Sequence, residues 1–296
     1  MTVATYAAAQ LLRVLPRARI TRAVGRLCDA KLHPRIASAV VNLYVRAYRV
    51  DLEEAQRDEG AGFPSFDAFF TRRLRDGARP VCPDAEAIVS PADGRIEAIG
   101  RVDPDGRLLI KGREYRVDDL VGDPADARRY DGGQFVVVYL SPRDYHRVHA
   151  PVAGEVRLVR SMPGDLYPVN SIGERHVPSL FATNRRVAIV IDTGLRGHGR
   201  VTVTMVGAMI VGRITVSGID ARDVPLGTHV LDPPYRVARG DEIGIFHLGS
   251  TAVVFAEPGS EPWTRPIGPI LFGEPLGEST RAVASPRSYQ NGGGAR

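Results

Sequence analysis

Lysine is almost missing from this 296-residue chain. Only Lys31 and Lys111 occur, and arginine supplies the remaining positive charge. Any mechanism that needs an enzyme lysine therefore has two candidates at most. Cysteine is equally scarce: Cys28 and Cys82 have no metal-ligand spacing, which argues against a zinc site or a disulfide framework and points to a reducing compartment. No metal is expected. Long apolar runs are absent too. The early stretch Ala7–Leu15 is interrupted by Gln10 and Arg13, well short of the ~20 residues of a membrane span. A clean secretory leader is missing, so the chain is expected in the cytoplasm, where it could sit on a membrane without crossing it. Internal repeats and low-complexity blocks are not found.

Glycine and proline, in contrast, are plentiful and spread along the chain, which favours many short strands joined by turns. Charge is uneven. The first fifty residues hold nine basic side chains against a single acid, Asp29, although the whole chain is only +5, so the remainder is mildly acidic. A basic, apolar-rich amino end suits an anionic surface. Anionic lipid is favoured over nucleic acid because the segment has no aromatic platform and no nucleic-acid motif.

The patterning predicts an α+β protein: N-terminal amphipathic helices, then a mainly antiparallel β core, sandwich- or barrel-like. Tyr6, Leu11, Leu12 and Leu15 suit a short helix stopped by Pro16. Ile20, Val24 and Leu27 form one helical stripe, and Ile36, Val40, Leu43 and Ala47, joined by Tyr44, form another. Such helices either pack on the protein's own core or lie in a lipid interface. Asp51 and Glu54 resemble a capping box opening a further turn. Phe66, Phe69, Phe70 and Leu74 keep helical spacing up to Gly77 and Pro80. Residues 1–80 are thus expected to be a helical, membrane-associating region, 81–278 a β catalytic domain, and 279–296 a flexible tail. Within the β domain, "GRIEAIGRVDPDGRLLIKGREYRV" reads as a hairpin turning at Asp105-Gly106.

Three clusters could carry chemistry. The first is "SPADGRI", with Asp93, although Asp-Gly between strands is usually only a turn. The second is "LSPRDYHRVHAPVAGEV", with His146 and His149. The third is Gly249-Ser250-Thr251, a polar knot inside the apolar run "HLGSTAVVFAEPG". An Asp, a His and a Ser permit general-base activation of a hydroxyl. Ser250 lacks the glycine-flanked elbow of an ordinary serine hydrolase. The glycine ahead of it instead suits attack on the Gly249 carbonyl, because a residue without Cβ lets the hydroxyl approach. That attack gives an ester and then chain cleavage.

Together these stretches resemble the phosphatidylserine decarboxylase proenzyme family. The resemblance runs from about Phe63 to Thr280 and rests on "FFTRRLRDGARP", "SPADGRI", "LSPRDYHRVHAPVAGEV", "PGDLYPVN", "FATNRRVAIV", "VGAMIVGRI", "HLGST" and "FGEPLGEST" in that order. The resemblance implies that His149, oriented by Asp93, deprotonates Ser250. Cleavage between Gly249 and Ser250 would give a large subunit 1–249 and a small subunit 250–296, with Ser250 becoming a covalent pyruvoyl cofactor. It also implies that His146 delivers a proton after CO₂ leaves, that phosphatidylserine is converted to phosphatidylethanolamine, and that the enzyme is a dimer of such pairs. It would be peripheral on the cytoplasmic face of the membrane. Tyr167, Asn184 and Arg185, with Arg186 beside them, are expected to border the head-group pocket. Two alternatives compete: an uncleaved Asp93–His149–Ser250 hydrolase, and a membrane-surface binding or carrier module, for which the setting of Lys111 is wrong.

Overall fold

A computed structural model describes residues 17–56, 62–169, 171–194, 198–209, 213–248 and 250–278. The expected Tyr6–Leu15 helix, Gly249 and the 279–296 tail lie outside the described residues. Helix α1 spans Arg17–Asp29, α2 Pro34–Tyr48 and α3 Phe66–Phe70. Pro34 at the start of α2 tolerates its missing N–H, and Arg49 closes the helix in a left-handed conformation (φ 55°). Ser65 caps α3 by accepting from the Ala68 N–H at 3.1 Å.

The helical stripes need correcting. In α2 it is Ala37 and Val41 that are buried, with Tyr44 and Val45 packed on the core. Ile36, Val40 and Leu43 are exposed at 55%, 41% and 72%. Leu27 of α1 is likewise exposed, whereas Val24 and Cys28 pack inward. Most of the expected α2 stripe and Leu27 of α1 therefore point away from the protein's own core, while Val24 and Tyr44 pack on it. The capping box at Asp51 is a single hydrogen-bonded turn, Glu53 N–H to Asp51 Oδ1 at 2.8 Å, followed by a bridge from Ala55 to Leu74. That bridge takes Leu74 out of helix.

Eight strands form one sheet in the order β10-β6-β7-β8-β12-β4-β1-β13. Their ranges are β1 Gly94–Arg101, β4 Gln134–Leu140, β6 Gly154–Met162, β7 Arg186–Asp192, β8 Arg200–Val206, β10 Gly227–Val237, β12 Ser250–Ala256 and β13 Gly268–Ile270. A second sheet is β5-β11-β9, with β5 Arg147–His149, β9 Arg213–Val216 and β11 Glu242–His247. A hairpin joins β2, Arg107–Ile110, to β3, Arg113–Arg116. The pairings are antiparallel throughout, as in an α+β fold, but the large sheet is open, with β10 and β13 at its edges, so it is not a barrel. The hairpin turn is also displaced from expectation. It lies at Lys111-Gly112, both at positive φ (48° and 75°), the geometry of a tight two-residue turn. Strand β1 leaves for the large sheet instead.

The core sits on the central strands. Val136, Val137 and Val138 of β4, Ile189 of β7, Val203 of β8 and Val253 to Phe255 of β12 are fully buried. Continuous apolar runs of this kind are what a strand covered on both faces requires. Residue 250 thus opens a central strand, and the chain passes from β11 in the small sheet to β12 in the large one through Leu248 and Gly249 alone.

Candidate active site

Register brings the three clusters together. Ser250 pairs with Leu140 at the end of β4, and the segment Ser141–His146 departs from that point. Strand β5, which carries His149, pairs with β11, and the Phe246 N–H donates to the His146 carbonyl at 3.0 Å. The His149 N–H in turn donates to the Pro91 carbonyl at 2.7 Å, tying it to the "SPADG" loop. Asp93, His146, His149 and the head of β12 are therefore bound into one region by backbone hydrogen bonds.

Asp93 is buried ahead of β1. Arg79 grips its carboxylate with Nε at 3.1 and 3.0 Å and Nη2 at 2.7 Å, while the Phe272 N–H donates to Oδ1 at 2.9 Å. Arg79 also reaches Glu54 at 2.7 Å. The glycine after Asp93 is dictated by packing: a Cβ on Gly94 would lie 2.3 Å from the Tyr139 carbonyl oxygen. "ADG" is thus where β1 comes against β4 rather than a free turn.

His149 is held differently from expectation. Its Nδ1–H donates to the Gly240 carbonyl at 2.7 Å, its Nε2 lies 3.1 Å from the Tyr145 hydroxyl, and its ring stacks on Phe272 at 3.9 Å and 4°. Because a carbonyl only accepts, Nδ1 carries the proton and Nε2 is the basic atom, accepting from Tyr145. Asp93 does not bond the imidazole in this structure; Gly240 supplies the orienting acceptor. Asp93 reaches His149 through Phe272, whose backbone it holds and whose ring lies on the imidazole. Burial lowers the His149 pKa, against the Gly240 bond and the nearby carboxylates of Glu242 and Asp93.

His146 is fully buried against Phe70, with ring centroids 4.1 Å apart. Its Nδ1–H donates to the Asp144 carbonyl at 2.8 Å, and its Nε2 has no hydrogen-bond partner among the described residues. Burial pushes its pKa down from 6.5 to about 3; the Asp144 bond opposes this and the Arg72 guanidinium adds to it. His146 is therefore a neutral imidazole with a bare Nε2. An unpartnered buried acceptor is unusual.

A cleft of about 540 Å³ is lined by α1 and by Pro163, Leu166, Val224 and Leu248. Arg22, Arg26, Arg185, Arg213 and Arg222 line it, against Asp29, Asp67 and Asp223. Leu248, two residues before Ser250, connects the cleft to the head of β12.

The profile of the family described as Phosphatidylserine decarboxylase matches residues 66–278. Similar chains named "Phosphatidylserine decarboxylase proenzyme" include one from Hahella chejuensis, 36% identical over 279 residues, covering 91% of this chain and 93% of its own length. One from Stutzerimonas stutzeri is 36% identical over 288 residues, covering 94% and 96%. Another, from Acinetobacter baylyi, is 37% identical over 271 residues, covering 90% and 93%. The chain belongs to the phosphatidylserine decarboxylase family. It is a decarboxylase, and the relatives' shared designation as proenzymes marks a chain made as a precursor.

In this family member the expected head-group residues are placed unequally. Asn184 is fully buried, and its amide is spent inside the protein: Nδ2 donates to the carbonyls of Tyr167 (2.8 Å) and Gly207 (2.9 Å), and Oδ1 accepts from the Tyr167 N–H (2.9 Å). It fixes the 163–167 loop rather than offering a group to a ligand. Tyr167, half-buried, is held by that clamp. Arg185 does line the cleft, but its Nη1 pairs with both Asp223 oxygens (2.7 and 2.8 Å) and its Nη2 with the Val224 carbonyl (2.7 Å). Arg186 is buried and donates to the carbonyls of Asp119 and Ala182, both at 2.6 Å. Sequence reasoning missed Arg79, Tyr145, Gly240 and Phe272. All but Gly240 lie inside a quoted motif, but only the fold shows that they surround the carboxylate and the imidazole.

Proposed function

We propose that this decarboxylase cuts its own backbone ahead of Ser250 and acts on phosphatidylserine, releasing CO₂ and leaving phosphatidylethanolamine. The observation that carries this reading is the register that sets Ser250, at the head of a central strand, beside the segment bearing His146 and His149. In the first step Ser250 gives its hydroxyl proton to His149 Nε2 and its oxygen attacks the Gly249 carbonyl. The peptide C–N bond breaks, the freed nitrogen takes the proton, and an ester joins the two parts. Loss of the Ser250 Cα proton expels the Gly249 carboxylate, leaving a dehydroalanine at 250. Water then replaces its nitrogen, which leaves as ammonia, and the new amino end is a pyruvoyl group.

The surroundings fit that group: a neutral imidazole with an orphan Nε2 lies buried nearby, and the chemistry needs no lysine. When formed, the group supplies a ketone that captures the substrate's amine and accepts the electron pair released as CO₂ leaves. His146 Nε2 passes a proton to the substrate carbon afterwards. At rest that atom carries none, so it is loaded within the turnover. The apolar wall of Phe70 favours loss of charge from the carboxylate as neutral CO₂.

The arginine-lined cleft is the entry for the anionic head group. The exposed Leu27, Ile36, Leu43 and Tyr48 of α1 and α2, with Arg26, Arg35 and Arg46 also exposed, lie against the bilayer on its cytoplasmic side. Each basic residue near an anionic leaflet contributes on the order of 1 kcal/mol. Among the described residues no helix is long and apolar enough to cross a membrane. The working form is a dimer of cleaved pairs, which light scattering tests. Mass spectrometry of the purified protein tests the central claim. Two fragments are expected, the smaller beginning at residue 250 and blocked by a keto acyl group, and Ser250→Ala should stay uncut. A wild-type chain that decarboxylates while remaining intact would overturn it.

A further inference from the structure

The last residue before the Gly249-Ser250 pair is in an unfavourable conformation. Leu248 has φ 87°, a region that side chains other than glycine rarely adopt. It is buried, and it is the residue at which the chain leaves the small sheet for the large one. Such strain persists only where the surroundings enforce it.

The enforcing contacts fall on the preceding residue. His247 ends β11, and its ring is held on both sides: Nδ1 lies 2.8 Å from Asp67 Oδ1 and Nε2 lies 3.3 Å from Thr215 Oγ1. Arg213 Nη2 donates to Asp67 Oδ2 at 2.8 Å and lies 2.6 Å from the same Nδ1. Since both nitrogens are donors when Nδ1 carries the proton, the carboxylate is the acceptor they share. Burial pushes the Asp67 carboxyl up, but the bonds from His247 and Arg213 outweigh it and hold the group below its ordinary range. Arg213 is anchored in turn by Asp29, at 2.9 Å to each oxygen, and Arg222 meets the same carboxylate. Asp29 is the only acid in the first fifty residues. The chain of contacts thus runs from α1 and α3 to the residue before the strained one.

We propose that the Asp67–His247 contact, backed by Arg213 and Asp29, is a clamp that holds Leu248 in its strained conformation and so presents the Gly249–Ser250 bond for self-cleavage. Asp67 and His247 are positioning residues in this scheme, because neither touches the bond that breaks. Cleavage releases the strain, since the large subunit then ends at Gly249 and Leu248 is free to relax. The strained bond is thereby raised toward the transition state in the uncut chain only.

The proposal rests on self-cleavage at this bond, and the test separates the two. The conversion of full-length chain to 1–249 and 250–296 is followed over time on denaturing gels. Asp67→Ala and His247→Ala should slow it roughly 5- to 150-fold, the rate equivalent of ~1–3 kcal/mol of backbone strain. His247→Asn, whose amide nitrogen sits where Nδ1 does, should cleave close to the wild-type rate. A merely structural role would not show this rescue at unchanged melting temperature. Variants cleaving as fast as wild type overturn the clamp alone, whereas a wild-type chain that never cleaves overturns the reading beneath it. If an alanine variant fails to fold, crystal structures of the uncut Ser250→Ala chain decide directly. Leu248 at positive φ supports the clamp, and Leu248 at negative φ refutes it.

Discussion

Acid should destabilise the uncut chain through His146, and the size of the effect follows from its burial. In the unfolded chain this imidazole takes up a proton near pH 6.5, whereas in the folded chain it does so only near pH 3. A lowered folded-state pKa means that its contribution to stability is complete above pH 6.5 and is lost as pH falls toward 3. Each pH unit in that window removes about 1.4 kcal/mol, so at pH 5 the loss from this one residue is about 2 kcal/mol. Other groups titrate there too. His149 is shifted in the same direction, and Asp144, whose carboxyl is raised by burial, works in the opposite sense, gaining stability as pH falls. Comparing Ser250→Ala with Ser250→Ala/His146→Asn cancels both. Asparagine keeps a donor for the Asp144 carbonyl but cannot be protonated in this range. Urea melts between pH 7 and pH 5, followed by the fluorescence of the single tryptophan, Trp263, should show a stability difference that changes by about 2 kcal/mol. Parallel pH curves for the two proteins would show that His146 is not held neutral by its surroundings, and the account of its bare Nε2 would fail with it.

Among the described residues, removing Arg79 leaves the buried Asp93 carboxylate with only the Phe272 N–H, so Arg79→Ala should cost about 3–5 kcal/mol in a chemical melt. It should also impair self-cleavage, since Phe272 carries the His149 ring. Asn184→Ala removes the acceptor of the Tyr167 N–H and a donor to each of the Tyr167 and Gly207 carbonyls, and a loss of about 1–3 kcal/mol in thermal unfolding is expected. Leu43→Glu on the exposed face of α2 should weaken sedimentation with anionic vesicles while leaving the melting temperature within about 2 °C of wild type. Equal sedimentation would remove that face from the membrane contact.

Much of the fold was legible because its signals were local. The apolar runs of β4, β7 and β12 announce strands covered on both faces, and the glycines and prolines between them announce turns. The helices were legible as helices but not in their orientation. Periodicity finds an apolar stripe without saying what covers it, and the stripe at Ile36, Val40 and Leu43 faces outward while Ala37 and Val41, smaller and less conspicuous, face the core. Turn chemistry misled at Asp105-Gly106 because the pair resembles a hairpin loop, and only the pairing of Ile110 with Arg113 shows where the chain reverses. At the site, residue types pointed to a carboxylate, an imidazole and a hydroxyl, but not to how they are joined. The bond from His149 to Gly240 is invisible in sequence, as any residue can supply a carbonyl. Arginine pairs such as Arg185 and Arg186 look alike in sequence and differ entirely in what they hold.

The two histidines and Leu248 suit the proposed self-cleavage, an event that happens once. A standing hydrolase would keep Asp93 on the imidazole, since each turnover needs the imidazolium stabilised. Here the carboxylate is committed to Arg79 and to the Phe272 backbone, while a neutral carbonyl orients His149. Burial lowers the affinity of that imidazole for a proton, which in the proposed scheme suits a base that must give the proton back to the departing nitrogen. His146, also kept neutral by burial, has no part in that step in the proposed scheme and serves the later one. In the same scheme the strained Leu248 adds the last element, because breaking the chain beside it lets the strain relax. In the proposed scheme the carboxylate, the two imidazoles and the strained residue belong to one sequence of events, with cleavage first and decarboxylation after.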